Sequence, residues 1–281
     1  MPVRVVCDSG CDLPAALAVE RGIAIVPLHV RFGSIELVDG EELTTKEFWA
    51  RCASSDELPE TAAPAPGAFH AVFESLAAAG ADGIVCVTLS SKLSATYEAA
   101  AQAARAFTGP PVYIVDSLSV TLGEGMVALA AAEAAANGID VAGVVAAAES
   151  TRARLSVFGA IDTLENLRKG GRIGGAAAAL GTLLSIKPVI EVRDGVVEQE
   201  SRQRTRAKSL RYLADKVHAA GPLERLAVIG ADAPDLDQFV ALIDDVKVRY
   251  PRLTGEIGPV IGTHAGPGAI GVVWVTALGT P

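Results

Sequence analysis

The chain has 281 residues, of which 50% are hydrophobic and 20% are charged, and this composition is typical of a globular protein with a sizeable core. Its formal net charge of −9 disfavours general nucleic-acid binding. The longest uncharged apolar stretch, residues 173–186, is shorter than the roughly 20 residues that span a bilayer, so we expect no stable membrane insertion.

Strands and helices are predicted to alternate through the first half of the chain. Apolar runs predict strands at 3–7, 23–32, 83–89 and 112–115. Helical patterns cover 14–21, 44–53, 67–79, 93–107, 122–137 and 141–152, and residues 54–66 read as a polar loop. Asp12 is a candidate cap of the first helix, and Thr44 with Glu47 forms a capping box at the second. This alternation predicts a parallel, doubly wound sheet.

The pattern changes to mixed α+β after residue 153. Strands are predicted at 156–161, 226–229, 254–261 and 270–277, and a hairpin within 187–201 turns at Asp194-Gly195. Helices are predicted at 205–219 and 234–250. We therefore expect an α/β protein with an N-terminal parallel α/β domain at 1–153, a C-terminal mixed α+β domain at 154–281, and the ligand between them.

The cysteines and the N-terminus predict the cellular compartment. Cys7, Cys11, Cys52 and Cys86 are scattered and form no CxxC pair, so we expect neither a metal site nor a disulfide framework. No basic segment precedes an apolar run at the N-terminus, which disfavours a signal peptide. We expect a reduced, cytoplasmic protein.

Polar residues follow three of the apolar strands, where ligands bind in parallel sheets. These are Asp8-Ser9, Ser90–Tyr97 and Asp116-Ser117. Ser90–Tyr97 is the richest in hydroxyls and predicts an anion site at a helix start, with Ser90 or Ser91 as the helix cap. Asp8 and Asp116 could bind Mg²⁺, or could only cap loops.

Three further segments carry candidate site residues. Gly258–Gly271 surrounds His264 with glycine and proline between β-branched runs. Taken alone, this pattern favours a turn with a surface histidine over a rigid loop that presents His264 to a ligand. Arg172 follows Gly170-Gly171 and could clamp a carboxylate or phosphate, or could belong to a solvated helix end. Thr61, taken alone, reads as a turn residue.

These pieces occur together in one recognisable order. The matching segments run from end to end of the chain and are Asp8–Leu13, Thr61–Pro64, Ser90–Tyr97, Asp116-Ser117, Arg168–Ile173, Lys187-Pro188 and Gly258–Gly271. With them the chain resembles the DegV family, bacterial fatty-acid-binding proteins that act as acyl-carrier subunits of fatty-acid kinase systems. The resemblance implies one bound long-chain fatty acid, and a separate ATP-dependent kinase that makes acyl phosphate for phospholipid synthesis. It also implies that the chain itself is no enzyme and binds no cofactor.

The resemblance also assigns the headgroup residues. It implies that Thr61 and Ser94 bind the fatty-acid carboxylate and that Arg172 and His264 lie close to it. The chain departs from the family pattern at four alanines that remove supporting polar contacts: Ala62, Ala63, Ala65 and Ala95.

The composition can supply an apolar tunnel for the acyl tail. About a dozen buried methylenes contribute on the order of 10 kcal/mol before ordering costs, and a buried carboxylate needs donors and a cation. Candidate tunnel residues are Leu28, Val30, Phe158, Ile161, Leu164, Leu180, Leu183, Leu184, Ile186 and Ile190.

Two alternatives belong to other functional classes. Ser94 as nucleophile and His264 as base would make an acyl hydrolase, but the sequence has no GxSxG elbow. The Gly170–Arg172 loop and a basic run could serve a phosphate-binding regulator, but a phosphate loop is missing. The basic run opposes a helix macrodipole, so we expect it to dock the kinase. The run comprises Arg202, Arg204, Arg206, Lys208 and Arg211, and we expect docking through Arg202, Arg204 and Arg206.

Overall fold

The computed structural model describes residues 2–55, 57–179 and 186–279. The tunnel candidates Leu180, Leu183 and Leu184 lie outside the described residues. The strands are β1 (Val3–Asp8), β2 (Ile23–Val26), β3 (His29–Phe32), β4 (Ile35–Val38), β5 (Glu60–Ala62), β6 (Gly83–Thr88), β7 (Val112–Asp116), β8 (Leu155–Ala160), β9 (Lys187–Arg193), β10 (Val196–Gln203), β11 (Leu223–Gly230), β12 (Leu253–Glu256) and β13 (Ile270–Thr276). The helices are α1 (Ala15–Glu20), α2 (Thr45–Ala53), α3 (Pro66–Ala78), α4 (Thr96–Ala106), α5 (Leu122–Ala136), α6 (Val141–Arg152), α7 (Glu165–Lys169), α8 (Arg206–Ala219), α9 (Leu236–Leu242) and α10 (Pro259–Ala265). None of the described helices is both long and apolar enough to cross a membrane.

The first half of the chain forms a parallel sheet with the strand order β2-β1-β6-β7. Both faces are covered, because alternate residues of β1 point to different helices. Val5 packs in the cluster of α5 and α6, whereas Val6 packs in the cluster of α3 and α4. Strands buried on both faces are continuous apolar runs, as the fully buried β6 shows.

A small antiparallel sheet, β4-β3-β5, lies beside this layer and was not predicted from the sequence. The predicted strand at 23–32 divides into β2 and β3, which belong to different sheets. Pro27 lies at the break, where it cannot donate to a ladder. The predicted loop at 54–66 contains β5, in which Thr61 pairs with Val30.

The second half forms a mixed six-stranded sheet with the order β10-β9-β8-β13-β11-β12, in which only β11 and β12 pair in parallel. Helices α8 and α9 cover one face. The other face packs against α5 through Leu122 and Met126. The predicted fold class is confirmed. The boundary at 153/154 stays a prediction, with β1–β7 before it and β8–β13 after it.

The structure corrects several predicted boundaries. The predicted strand at 254–261 ends at Glu256, and the Gly-Pro segment that follows forms α10. This helix packs tightly on α2, since a Cβ on Gly262 would lie 2.8 Å from the Trp49 ring. The predicted helix at 234–250 is reduced to α9, after which Arg252 donates to the Ile243 carbonyl.

Three predicted caps have different outcomes. The capping box of Thr44 and Glu47 is confirmed on α2. Asp12 does not cap α1, because its carboxylate accepts a hydrogen bond from the Gly258 amide instead. Helix α4 begins only at Thr96 with no side-chain cap, so neither Ser90 nor Ser91 caps it.

Candidate functional site

Four polar residues from distant parts of the chain line one cavity of about 170 Å³. Thr61 comes from β5, Ser94 from the turn before α4, Arg172 from the loop after α7, and His264 from α10. The other lining residues are mostly aliphatic and come from both halves of the chain: Leu28, Leu89, Leu93, Val120, Leu167, Ile190, Val192, Val197, Val260 and Ile261. The fold therefore brings together all four predicted headgroup residues.

Thr61 and His264 contact each other directly. The Thr61 Oγ1 and His264 Nε2 atoms are 3.0 Å apart. Their elements meet because α10 packs against both β3 and β5. The other ring nitrogen, Nδ1, is buried without a hydrogen-bond partner among the described residues. It lies against Gly170, where a Cβ would be 2.3 Å from Nδ1, so only glycine admits the ring.

His264 is neutral in this site at physiological pH. Burial, with a smaller contribution from the Arg172 cation, lowers its pKa from 6.5 to about 4. A neutral imidazole offers one N–H donor and one acceptor nitrogen. The ring can therefore hold the Thr61 hydroxyl in place while adding no charge.

Arg172 supplies the positive charge of the site. Its Nε donates to the Leu93 carbonyl at 3.0 Å, and its Nη1 donates to the Gly170 carbonyl at 2.7 Å. These bonds tie the loop after α7 to the turn that carries Ser94. Across residues 2–55, 57–179 and 186–279, no carboxylate forms an ion pair with Arg172, whose described hydrogen bonds go to backbone carbonyls.

Ser94 lies in a turn that the protein holds by its backbone. Its amide donates to the Ser90 carbonyl at 3.1 Å. Its hydroxyl is 2.8 Å from the Thr96 hydroxyl and accepts from the Thr96 amide. The Ser90 hydroxyl donates to the Gly195 carbonyl at 2.7 Å, so the tip of the β9–β10 hairpin rests on the same turn. The sequence predicted this hairpin but carried no signal for its contact with Ser90.

The acidic residues at the strand ends hold loops. Asp8 accepts from the Leu89 amide, and Asp116 accepts from the amides of Ser91 and Leu118. Within the described residues there is no group of three or more histidine, cysteine or acidic side chains that could hold a metal ion. Of the two alternatives for these acids, the contacts favour loop capping over Mg²⁺ binding.

Apolar space continues inward from the site. A second cavity of about 60 Å³ shares Val120, Ile190, Val192, Ile261 and Ala265 with the first, and no polar surface lines it. Of the described tunnel candidates, Leu28 and Ile190 line the first cavity, and Phe158, Ile161 and again Ile190 line the second. Val30 and Leu164 are core residues that line neither, and Ile186 also lines neither.

Polar space continues outward. A depression of about 400 Å³ shares Thr61, Arg172 and His264 with the cavity, and Asn166 and Lys169 also line it. The shared residues therefore stand at a neck between an apolar interior and a polar exterior. An amphipathic ligand that enters tail first would leave its polar end at this neck.

The alanines that depart from the family pattern have two locations. Ala62, Ala63 and Ala95 line the cavity beside Thr61 and Ser94. Ala65 instead precedes α3 at its N-terminus and makes no side-chain cap. Three of the four substitutions thus place apolar surface next to the hydroxyls.

The hydrolase alternative gains no support from these contacts. Among the described residues, the Ser94 hydroxyl bonds with Thr96 and His264 Nε2 bonds with Thr61. A serine nucleophile requires a histidine base whose other nitrogen is oriented by a third group. His264 Nδ1 has no such partner there.

The basic run does not lie on one helix start. Arg202 is on β10, where its Nε donates to Gln199, and Arg204 is exposed in the following turn. Arg206 begins α8 and forms a bidentate ion pair with Asp235 at 2.8 and 2.9 Å. Its guanidinium thus already has a carboxylate partner. The docking role of all three arginines stays a prediction.

Comparison with known proteins gives one consistent family. A family model described as an uncharacterised protein of the DegV family matches residues 2–277. A DegV domain-containing protein of Streptomyces coelicolor is 39% identical over 277 residues, which cover 96% of this chain and 97% of that protein. A solved DegV-family structure from Thermus thermophilus, described by its fatty-acid binding, is 33% identical with a TM-score of 0.90, and covers 99% of this chain and 100% of that one. DegV of Bacillus subtilis, described as a fatty-acid-binding protein, is 29% identical with a TM-score of 0.87 and the same coverage.

Proposed function

The chain belongs to the DegV family, and from this premise we propose that it binds a single long-chain fatty acid and presents the carboxylate to a separate ATP-dependent kinase for acyl-phosphate formation. The acyl phosphate would serve phospholipid synthesis in the cytoplasm. The protein would act as a carrier, with catalysis in the partner.

The observation that carries this proposal is the neck at which Thr61, Arg172 and His264 separate an apolar cavity from a polar depression. A fatty acid has the same division between tail and headgroup. Each buried methylene contributes about 0.8 kcal/mol, so the interior supplies affinity. The polar neck supplies orientation.

The neck has the chemistry that a carboxylate requires. A carboxylate accepts hydrogen bonds only, so it needs donors, and burial makes a compensating cation necessary. The hydroxyls of Thr61 and Ser94 are the donors that we assign to it. Arg172 supplies the charge, and the neutral His264 orients Thr61. Fatty-acid binding by the related proteins of Thermus thermophilus and Bacillus subtilis supports the assignment.

The binding step is tested by extracting lipid from the purified protein and by adding labelled oleate. We expect one fatty acid per chain in the wild type and weakened retention in the double variant Thr61→Ala/Ser94→Ala. Loss of two hydrogen bonds to a charged group costs about 3 to 6 kcal/mol, or a more than hundredfold faster release.

A matched control removes two hydroxyls elsewhere. Thr108 and Ser150 are exposed, and neither lines the cavity. Thr108→Ala/Ser150→Ala should retain oleate as the wild type does. If the wild type holds no acyl species and takes up no oleate, the proposal is wrong.

The kinase step needs a different readout. We propose that the basic run docks the kinase, and Arg202→Glu/Arg204→Glu should then lower acyl-phosphate formation with the cognate kinase while oleate retention is unchanged. Arg206 is a poor probe, because its substitution also breaks the ion pair with Asp235. Arg105→Glu, on the exposed side of α4, is the control. Equal acyl-phosphate formation by both variants would exclude a docking role for Arg202 and Arg204.

A further inference from the structure

The turn of residues 8–10, which we call the hub turn, connects three segments of the cavity wall. Its bonds are Leu89 N to Asp8 Oδ2 at 2.9 Å, Leu28 N to Ser9 Oγ at 3.0 Å, and Thr121 N to the Gly10 carbonyl at 2.8 Å. Leu28 and Leu89 line the cavity. Leu89 also leads directly into the turn of Ser90–Ser94. The position of the Asp8 side chain therefore affects the position of the Ser94 hydroxyl, which we assign to the fatty-acid carboxylate.

A second carboxyl group meets the hub turn from α5. Glu124 is fully buried, and its Oε1 accepts a hydrogen bond from the Cys7 thiol at 3.0 Å. Its Oε2 has no donor among the described residues. A Cβ on Gly10 would lie 2.9 Å from Asp8 Oδ1 and 3.7 Å from Glu124 Oε2, so both carboxyl groups converge on this glycine.

The side chains of Asp8 and Glu124 interact directly and both are fully buried, so burial opposes charge on both carboxyl groups at once. Asp8 accepts hydrogen bonds from two backbone amides, Gly10 and Leu89, and these donors stabilise a charge. Within the part of the chain that the structure describes, Glu124 accepts only from the Cys7 thiol. When the pair holds a single proton, the negative charge therefore belongs on Asp8 and the proton on Glu124.

We propose that Glu124 carries a proton on Oε2 and donates it to Asp8, and that this shared-proton pair positions the Leu89–Ser94 segment of the binding site. Glu124 is then a positioning residue that touches no ligand. Its effect on fatty-acid retention rests on the proposed function, whereas its protonation and its effect on the segment do not.

Among the described residues, the titratable neighbours of the pair are thiols and carboxyl groups. Burial raises the pKa of the Cys7 and Cys86 thiols, which flank the pair from β1 and β6 and stay neutral. The carboxyl groups of Asp12 and Asp39 face it from the neighbouring loops, and burial raises the pKa of both. Cys11, in the turn after Asp8, is the remaining titratable neighbour. None of these groups brings a positive charge to the pair.

The pair gives stability a defined pH dependence. Burial raises the pKa of Asp8 from 3.8 to about 7 and raises that of Glu124 well above 4.5. A raised folded-state pKa contributes stability below the unfolded-state value, and this contribution is lost as the pH rises. The stability contributed by Asp8 is lost between about pH 4 and pH 7. The stability contributed by Glu124 is also lost as the pH rises, and this loss continues above pH 7.

The test compares Glu124→Gln with Glu124→Leu. Glutamine keeps the shape and a donor toward Asp8 but cannot ionise, whereas leucine removes the donor. Glu98→Gln, at an exposed position on α4, is the matched control. Infrared difference spectra, thermal unfolding from about pH 5 to pH 9, and amide hydrogen exchange are measured on ligand-free protein.

We expect a protonated-carboxyl carbonyl band that E124Q loses and E98Q keeps. As the pH rises from about 5 to 9, we expect the melting temperature of E124Q to fall at most half as much as that of the wild type. Hydrogen exchange in the Leu89–Ser94 segment should stay protected in E124Q and become at least tenfold faster in E124L.

Three results would overturn the proposal. They are an identical carbonyl region in E124Q and wild type, parallel pH curves for the two, or unchanged exchange in E124L. If E124L does not fold, the spectrum and pH curve of E124Q decide the protonation, and exchange of the wild-type segment across the same pH range decides the positioning. A protein that shows all three effects but takes up no oleate would refute the fatty-acid function and leave the positioning role intact.

Discussion

Replacing His264 with glutamine tests the electrostatics of the neck. In the ligand-free protein, burial and Arg172 hold the pKa of His264 at about 4, below its unfolded value of 6.5. Folding therefore favours the neutral ring. The stability that this ring contributes is complete above pH 6.5 and is lost as the pH falls toward 4. Glutamine can still bond with Thr61 but does not titrate.

The magnitude follows from the difference between the two pKa values. A shift of 2.5 units, from 6.5 to about 4, corresponds to about 3 kcal/mol. At pH 4.5 most of this, about 2.5 kcal/mol, is already lost. For a chain of this size, that corresponds to a fall in melting temperature of roughly 5–10 °C between neutral pH and pH 4.5.

The assay is thermal unfolding of delipidated wild type and H264Q at several pH values. The comparison must be between variants, because the raised pKa values of Asp8 and Glu124 act in the opposite direction and are common to both proteins. His70→Gln on α3, beside Glu74 and outside the cavity, serves as the control. We expect H264Q to lose less stability than wild type on acidification by about 2.5 kcal/mol.

A bound fatty acid adds a second test of the same reasoning. A carboxylate at the neck favours the protonated ring, which raises the pKa of His264. Saturating oleate should therefore protect the wild type more at pH 5 than at pH 7.5, and H264Q should show no such preference. Parallel pH curves of wild type and H264Q in the ligand-free state would refute the burial argument.

Further substitutions test individual packing contacts. Gly195→Ala should release oleate several-fold faster than wild type in a dissociation assay, because its φ of 82° is unfavourable for alanine and the new Cβ would lie 2.6 Å from the Ser90 hydroxyl. Gly262→Ala should lower the free energy of unfolding by about 1 to 3 kcal/mol by pressing on Trp49, and unchanged urea unfolding would contradict this packing. Arg206→Ala should lower stability by about 1 to 3 kcal/mol through loss of its partly buried bidentate ion pair, whereas an effect on acyl phosphate alone would favour docking.

Features set by local chemistry were predictable from the sequence. The capping box at α2 and the Asp194-Gly195 hairpin depend on residues within a few positions of each other. In the hairpin both turn residues have positive φ, 50° and 82°, as this dipeptide favours. The individual strands and helices of the first half are also recognisable from their own residues, and their alternation predicted the parallel sheet.

Features set by distant contacts were not predictable. Strand β5 has three residues and exists because Thr61 pairs with Val30. Helix α10 contains glycine that would weaken an isolated helix, and its packing on α2 compensates for that cost. The sequence pattern therefore suggested a turn with a surface histidine at His264. Only the resemblance to the DegV family predicted that this residue lies close to a ligand carboxylate.

The positions of the cavity-lining residues in the sequence also constrain when the cavity can form during synthesis. Its lining begins at Leu28 and ends at Ala265, and contributions are spread over the whole interval. His264 and Ala265 are the last of these lining residues in sequence order, so a growing polypeptide on the ribosome cannot complete the cavity wall until α10 has been synthesised. A truncated N-terminal fragment would likewise expose Leu28 and Leu89 without the hairpin and helix that cover them. A product that terminates before α10 therefore lacks His264 and the rest of the cavity wall that this helix supplies.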